Sequence, residues 1–406
     1  MKLVPAIIVA ASSVVLCAQA PIIWSPDVKT ALEGFEKGAY LESSDTLAAL
    51  AFAPDGQVRD RMAFALWTQF NPFLTNEPDV KAMTRRAHES KPNPTWGPRI
   101  LAAVPRDAIE EIVARARATN IVILNEAHAS PRDRAFALRV ARALRPLGYK
   151  TLALETIDNN EPETGLFATA QLKRDGFVRF GSGGYTKDPV FARFVREALA
   201  LGYEPVAYEQ TKAQSRPTDG IPEREQAQAE NLMTRIFSAR PKEKVLIYVG
   251  QGHVVEKPGK LGEMMAARLK RMSGVDPLTI DQAGVTEIAT SGTYAVASAR
   301  MGKDSAVFFE GEVPLLIGYN AGVDLQVIHP RRSYRSGRPR WLVDLGGKRM
   351  PIPRRLLPAK GRRLIQVFAA EAPSDAVPLD QVLVTANSSV PVLIVPAGPV
   401  RFAIQQ

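Results

Sequence analysis

The chain has 406 residues, 46% of them hydrophobic, one cysteine and a formal net charge of +10, enough material for two or three domains of roughly 100–200 residues. Cys17 stands inside a pattern of Lys2, an apolar stretch from Leu3 to Leu16, and Ala18-Gln19-Ala20 before Pro21, which is the layout of a secretory leader cleaved after Ala20. A periplasmic or secreted protein of about 386 residues is therefore expected, without a thiol, which excludes disulfides, thiolate metal sites and cysteine nucleophiles.

The bulky Leu16 directly before Cys17 argues against a lipid anchor, and no later run approaches the ~18 apolar residues of a membrane helix. From about Ser25 to Pro92 the apolar residues fall at three- and four-residue spacing, as in Val28 to Phe35 and Val58 to Trp67, so a helical entry region over 21–98 is predicted. The prolines and glycine of 91–98 end it.

Between about 100 and 285 helical and strand patterns alternate. A helix at Ala108 to Ala118 precedes the strand Ile121 to Leu124, and a helix at Arg132 to Leu144 precedes Thr151 to Glu155. Helices at Pro189 to Leu201, Glu223 to Ser238 and Leu261 to Met272 precede strands at Glu204 to Tyr208, Lys244 to Val249 and Leu278 to Asp281. Such alternation predicts an α/β fold with a parallel sheet covered on both faces, assigned here to 99–288.

After about residue 290 short apolar runs separated by Gly, Pro and Asn predict a small antiparallel β domain over 289–406. They are Ala306 to Phe309, Val313 to Ile317, Leu325 to Ile328, Leu364 to Phe368, Gln381 to Thr385, Val390 to Val395 and Val400 to Ile404. Arg331 to Arg363 within it carries twelve Lys or Arg and one acid, Asp344. The surplus charge thus lies in one segment. Nucleic acid is not an expected partner of an exported chain; an anionic envelope surface is the contact expected of Arg331 to Arg363, beside a small-molecule or peptide substrate.

Each predicted parallel strand ends on an ionisable residue: Glu126 and His128, Glu155, Glu209, His253 and Asp281. In open α/β sheets ligands bind at the carboxyl ends of the strands, so the two histidine boxes, Asn125-Glu126-Ala127-His128 and Gly250-Gln251-Gly252-His253, are placed to converge. Two of the four histidines, His88 and His329, fall outside the alternating region. Two imidazoles with carboxylates suit two chemistries, a divalent metal held by Glu126, His128 and His253 that acidifies a water, or a metal-free histidine base oriented by a carboxylate. No serine sits in a Gly-x-Ser-x-Gly elbow.

The ordered set Ile-Leu-Asn-Glu-Ala-His at 123–128, Leu-Ala-Leu-Glu at 152–155, Arg224-Glu225-Gln226-Ala227 and Tyr-Val-Gly-Gln-Gly-His at 248–253 resembles the superfamily uniting erythromycin esterases, haem-binding ChaN proteins and the Tiki and TraB proteins. The match covers about 120–285, with Asn125 where that group usually has glycine; Asn tolerates positive φ, which would preserve a turn there. The resemblance implies a centre of Glu126, His128, Glu155 and His253, with Arg224 as an anion or transition-state contact. It implies esterase-like hydrolysis, metal-dependent proteolysis or haem binding in its different branches. Tyr185, in the loop Gly181-Ser182-Gly183-Gly184-Tyr185, is read as a pocket-lining residue and Glu209 as a further substrate contact. A hydrolase that cleaves an ester or amide is the leading expectation; a haem carrier and a non-catalytic envelope binder are the alternatives.

Overall fold

The computed structural model describes residues 25–78, 94–160, 166–216, 218–288, 291–318 and 322–406. The predicted leader and His88 lie outside the described residues. The protein is an α/β fold: a helical N-terminal region, a mostly parallel central sheet and small antiparallel C-terminal sheets. Among the described residues no helix is long and apolar enough to cross a membrane.

The entry region forms helices Pro26–Glu36, Tyr40–Ala51, Arg61–Phe70 and Pro72–Thr75. Asp60 starts the third by accepting from the main-chain N–H groups of Met62 and Ala63 at 2.8 and 3.0 Å, which satisfies two of the unpaired donors at a helix start. Their buried side chains, among them Phe35, Tyr40, Leu47 and Phe73, form one cluster that also takes in Leu364 from the C-terminal end.

The central sheet has nine strands: β1 Val104–Asp107, β2 Ile121–Glu126, β3 Thr151–Leu154, β4 Glu204–Ala207, β5 Val245–Gly250, β6 Leu278–Asp281, β7 Ala306–Glu310, β8 Val313–Pro314 and β9 Leu325–Ile328. Their order is β1-β7-β9-β6-β2-β5-β3-β4, with β8 on β7. The run from β9 to β4 is parallel, and β7 is antiparallel to its neighbours. Side chains alternate between faces. Val122, Leu124, Leu152, Leu154, Leu246 and Tyr248 join one core, and Ile121, Ile123, Ala153, Ile247 and Val249 join the other.

The expected change of unit at residue 288 does not mark the end of this sheet. Ala306–Glu310 and Leu325–Ile328 are sheet members, and β9 continues the parallel order beside β6. Leu325, Val327 and Ile328 are buried; a short apolar run looks the same in a parallel sheet and in a β domain, so composition alone cannot separate the two.

The later strands are β10 Tyr334–Arg335, β11 Arg338–Pro339, β12 Lys348–Met350, β13 Arg362–Ala369, β14 Asp380–Thr385, β15 Leu393–Val395 and β16 Val400–Gln405. All are antiparallel, in the sheets β10-β11, β12-β15 and β14-β13-β16. The last sheet is stitched to the entry helices: Gln405 Oε1 accepts from Leu41 N at 2.9 Å, and Gln381 Nε2 donates to Phe73 O at 2.8 Å. Part of the basic segment is internal. Arg338 is buried in a two-armed pair with Asp380, and Arg332 reaches Glu77 and Glu287.

Candidate active site

The parallel register puts Glu126 beside Gly250 and Leu154 beside Tyr248, so the carboxyl ends of β2, β5 and β3 finish level. His128 and Glu155 meet over Gly250. A Cβ on that glycine would lie 3.1 Å from Glu155 Oε2 and 3.1 and 3.2 Å from His128 Cε1 and Nε2. Glu155 Oε2 accepts the Gly250 N–H at 2.5 Å.

His128 is held from two sides. Its Nδ1 is 2.9 Å from Glu126 Oε1, and Tyr185 stacks on the imidazole at 4.0 Å and 15°. Among the described residues Nε2 has no hydrogen-bond partner. Glu126 accepts from Arg134 Nε at 2.8 Å and from Tyr248 Oη at 3.0 Å, and the fully buried Arg134 also donates to Asp188 at 2.7 Å. Burial by itself would raise the Glu126 carboxyl; the Arg134 guanidinium and the hydrogen bond to the His128 ring outweigh it and hold Glu126 below its ordinary range. An ionised Glu126 fixes the Nδ1–H tautomer and leaves the Nε2 lone pair outward.

Tyr185, read from the sequence as a pocket-lining residue, places its ring against His128, while its hydroxyl is engaged elsewhere. That group donates to Gln69 Oε1 at 2.8 Å, and Phe70 stacks on the ring. The loop before it is fixed: Gly183 has φ +150°, and a Cβ there would fall 1.9 Å from Thr156 O, so only glycine permits this approach to the end of β3.

The second cluster centres on Arg224. Its Nη2 donates to Glu155 Oε1 at 2.5 Å and also to Glu209, its Nε donates to Glu209 at 3.0 Å, and its Nη1 is 3.0 Å from His253 Nε2. Glu209, expected to touch substrate, anchors this guanidinium. Glu155 Oε1 is 3.3 Å from His253 Nε2. Burial would raise the Glu155 carboxyl, but His253 and Arg224 pull it well below its ordinary range.

Reasoning from sequence missed Glu225. It is fully buried, and Oε1 lies 2.6 Å from His253 Nδ1 as an ionic contact rather than an aligned hydrogen bond. Burial disfavours charging His253 and Arg224 opposes it too, but the carboxylates of Glu225 and Glu155 prevail and push the imidazole up to about 10. Arg134, Tyr248 and Gln69 were missed as well. Only Glu225, next to Arg224, and Arg134, one turn into the helix after His128, carried a positional signal.

Asp281 belongs to a separate buried network. It accepts from Asn125 Nδ2 at 2.7 Å and Gln326 Nε2 at 2.8 Å. Asn125 is not in a positive-φ turn, contrary to expectation: it lies within β2 and its amide bonds Asp281, Gln251 O and the Gln282 N–H. His329, between Ser305 and Gln282, is buried in the same network.

The residues do not fit the divalent-metal alternative at Glu126, His128 and His253. Glu126 is saturated by Arg134, Tyr248 and His128, both His253 nitrogens face charged side chains, and among the described residues no group of three or more His, Cys, Asp and Glu is arranged to hold an ion. Nor do they fit haem, whose axial imidazole needs a roomy apolar slot: His128 Nε2 shares its space with a carboxylate.

Gly250 keeps that space open. Gly250→Ala is expected to displace His128 or Glu155, read as a shift of the His128 ring resonances, while thermal unfolding stays near the wild type. Unchanged resonances would show that the gap has no role.

No family model and no curated protein matches the chain. Among solved structures, RRSP, a MARTX toxin effector domain from Vibrio vulnificus CMCP6, is similar at 16% identity and a TM-score of 0.34, over 59% of this chain and 54% of that one. Two further bacterial toxin structures are 15% and 14% identical, both with a TM-score of 0.33, over 59% of this chain and 55% of theirs. The chain thus spans about half the length of these structures. The likeness assigns no function.

Proposed function

We propose that the chain is an exported hydrolase of the erythromycin esterase, ChaN and Tiki group that cleaves an ester or amide by metal-free activation of water. The observation that carries this reading is the Glu126–His128 pair, with Nδ1 bound to a buried carboxylate and Nε2 open beside Glu155 and Gly250. His128 Nε2 removes a proton from water as its oxygen attacks the carbonyl carbon. The oxyanion is met by Arg224. With His253 protonated, the Arg224 Nη1 protons face another donor instead of an acceptor, so they are available to an incoming negative oxygen. His253 Nε2–H gives its proton to the departing oxygen or nitrogen, and solvent resets both imidazoles.

The full-length protein is expected to turn over a member of a panel of alkyl and p-nitrophenyl esters and fluorogenic peptides, at a rate unchanged by dialysis against EDTA. Activity that disappears with EDTA and returns with zinc overturns the metal-free role of His128. A wild type inert across the panel overturns hydrolysis.

A further inference from the structure

We infer that Glu225 is the positioning residue that makes His253 a proton donor, so that the site holds two carboxylate–imidazole pairs with opposite tasks. The inference rests on the hydrolase reading above. One pair, Glu126–His128, offers a free nitrogen. The other, Glu225–His253, has a carboxylate at each nitrogen: Glu225 at 2.6 Å from Nδ1 and Glu155 at 3.3 Å from Nε2.

The geometry of Glu225 separates it from an ordinary helix-start acid. It is the fifth residue of the helix Ile221–Leu232, is fully buried, and its Oε2 accepts the Met265 N–H at 2.6 Å, at the first turn of the helix Met265–Ser273. That bond fixes the carboxylate in place behind His253 Nδ1. The same turn fixes His253, whose carbonyl accepts from Ala266 N at 3.0 Å. The charged groups facing the imidazole are therefore Glu225 and Arg224 from one helix and Glu155 from the end of β3. Arg224 opposes the cation, and the two carboxylates outweigh it.

The consequence is a division of labour. Attack on the carbonyl forms one C–O bond and moves one water proton to His128. Collapse breaks the bond to the leaving group, which takes the proton of His253. The products are an acid and an alcohol or amine, and both imidazoles return to their starting states by exchange with solvent. Arg224-Glu225 on one helix thus serves both ends of the step, the guanidinium at the oxygen that becomes negative and the carboxylate behind the donor.

The test uses Glu225→Gln, which keeps an oxygen for Met265 N–H, and Glu225→Asp, in the full-length protein. Histidine ring NMR is expected to show His253 of the wild type charged up to about pH 10, and in Glu225→Gln to show its titration moved down by about two units or more. In Glu225→Gln the alkaline limb of kcat/KM should move down with it while the acid limb stays. The loss of kcat should reach about 10²-fold on an alkyl ester or amide and be much smaller on a p-nitrophenyl ester, whose leaving group needs no proton. Glu225→Asp should restore part of each. An unmoved His253 titration, or equal losses on both leaving groups, overturns the role of Glu225. A wild type with no turnover of any substrate instead removes the hydrolase reading beneath it, and the NMR titration still reports whether Glu225 holds the charge.

Discussion

Replacing His128 with alanine is expected to lower kcat by about 10²–10⁴-fold, the range associated with a positioned general base, with KM little changed and the fold retained. The imidazole ends a buried chain of charge that runs from Asp188 through Arg134 to Glu126, but it is not itself a core side chain. Its loss removes the stack on Tyr185 and the Glu126 contact, and an aromatic contact of this kind contributes about 0.5–1.5 kcal/mol, too little to unfold a domain. Free imidazole added to the variant should restore part of the rate, because Glu126, Tyr185 and Gly250 still shape the vacated space. Turnover at the wild-type rate in His128→Ala would reject the catalytic assignment outright.

The largest effect on stability is expected at Arg134. The side chain is fully inaccessible, with Glu126 and Asp188 on its guanidinium and the rings of Phe73, Tyr185 and Phe191 within 6 Å. Arg134→Met keeps the apolar stem and leaves two buried carboxylates without their cation, at a cost of about 3–5 kcal/mol. The sign with pH follows. Without Arg134 both carboxyls titrate higher in the folded state than in the unfolded chain, so they favour the fold when protonated and disfavour it once ionised. The deficit in urea unfolding free energy should therefore shrink as pH falls from 8 toward 5. A deficit under about 1 kcal/mol, or one independent of pH, would mean that the pair carries little weight.

Much of this centre was legible because its chemistry follows short apolar runs directly. Glu126, His128, Glu155 and His253 each sit at or just past a strand end, and a parallel sheet finishes its strands on one edge; Arg224 was marked by a helix start. The residues that decide protonation were less visible. Glu225 acts on a histidine 28 positions away, and Gln69 reaches Tyr185 across 116, separations that no local pattern encodes. Asn125 misled because a glycine position was read as a backbone requirement. In the fold the side chain itself is wanted, as a buried amide that ties β2 to the loop after β5 and to the end of β6.

The stitching of β13, β14 and β16 onto the entry helices sets an order of assembly. Tyr185 is braced by Gln69 and Phe70, the short helix Pro72–Thr75 that follows them carries Phe73, and Phe73 O is bonded by Gln381. A chain made from its amino end would therefore complete the central strands, with every charged site residue present, before the strand that secures the wall behind His128 exists. The wall behind His128 would be completed last, with the final quarter of the polypeptide.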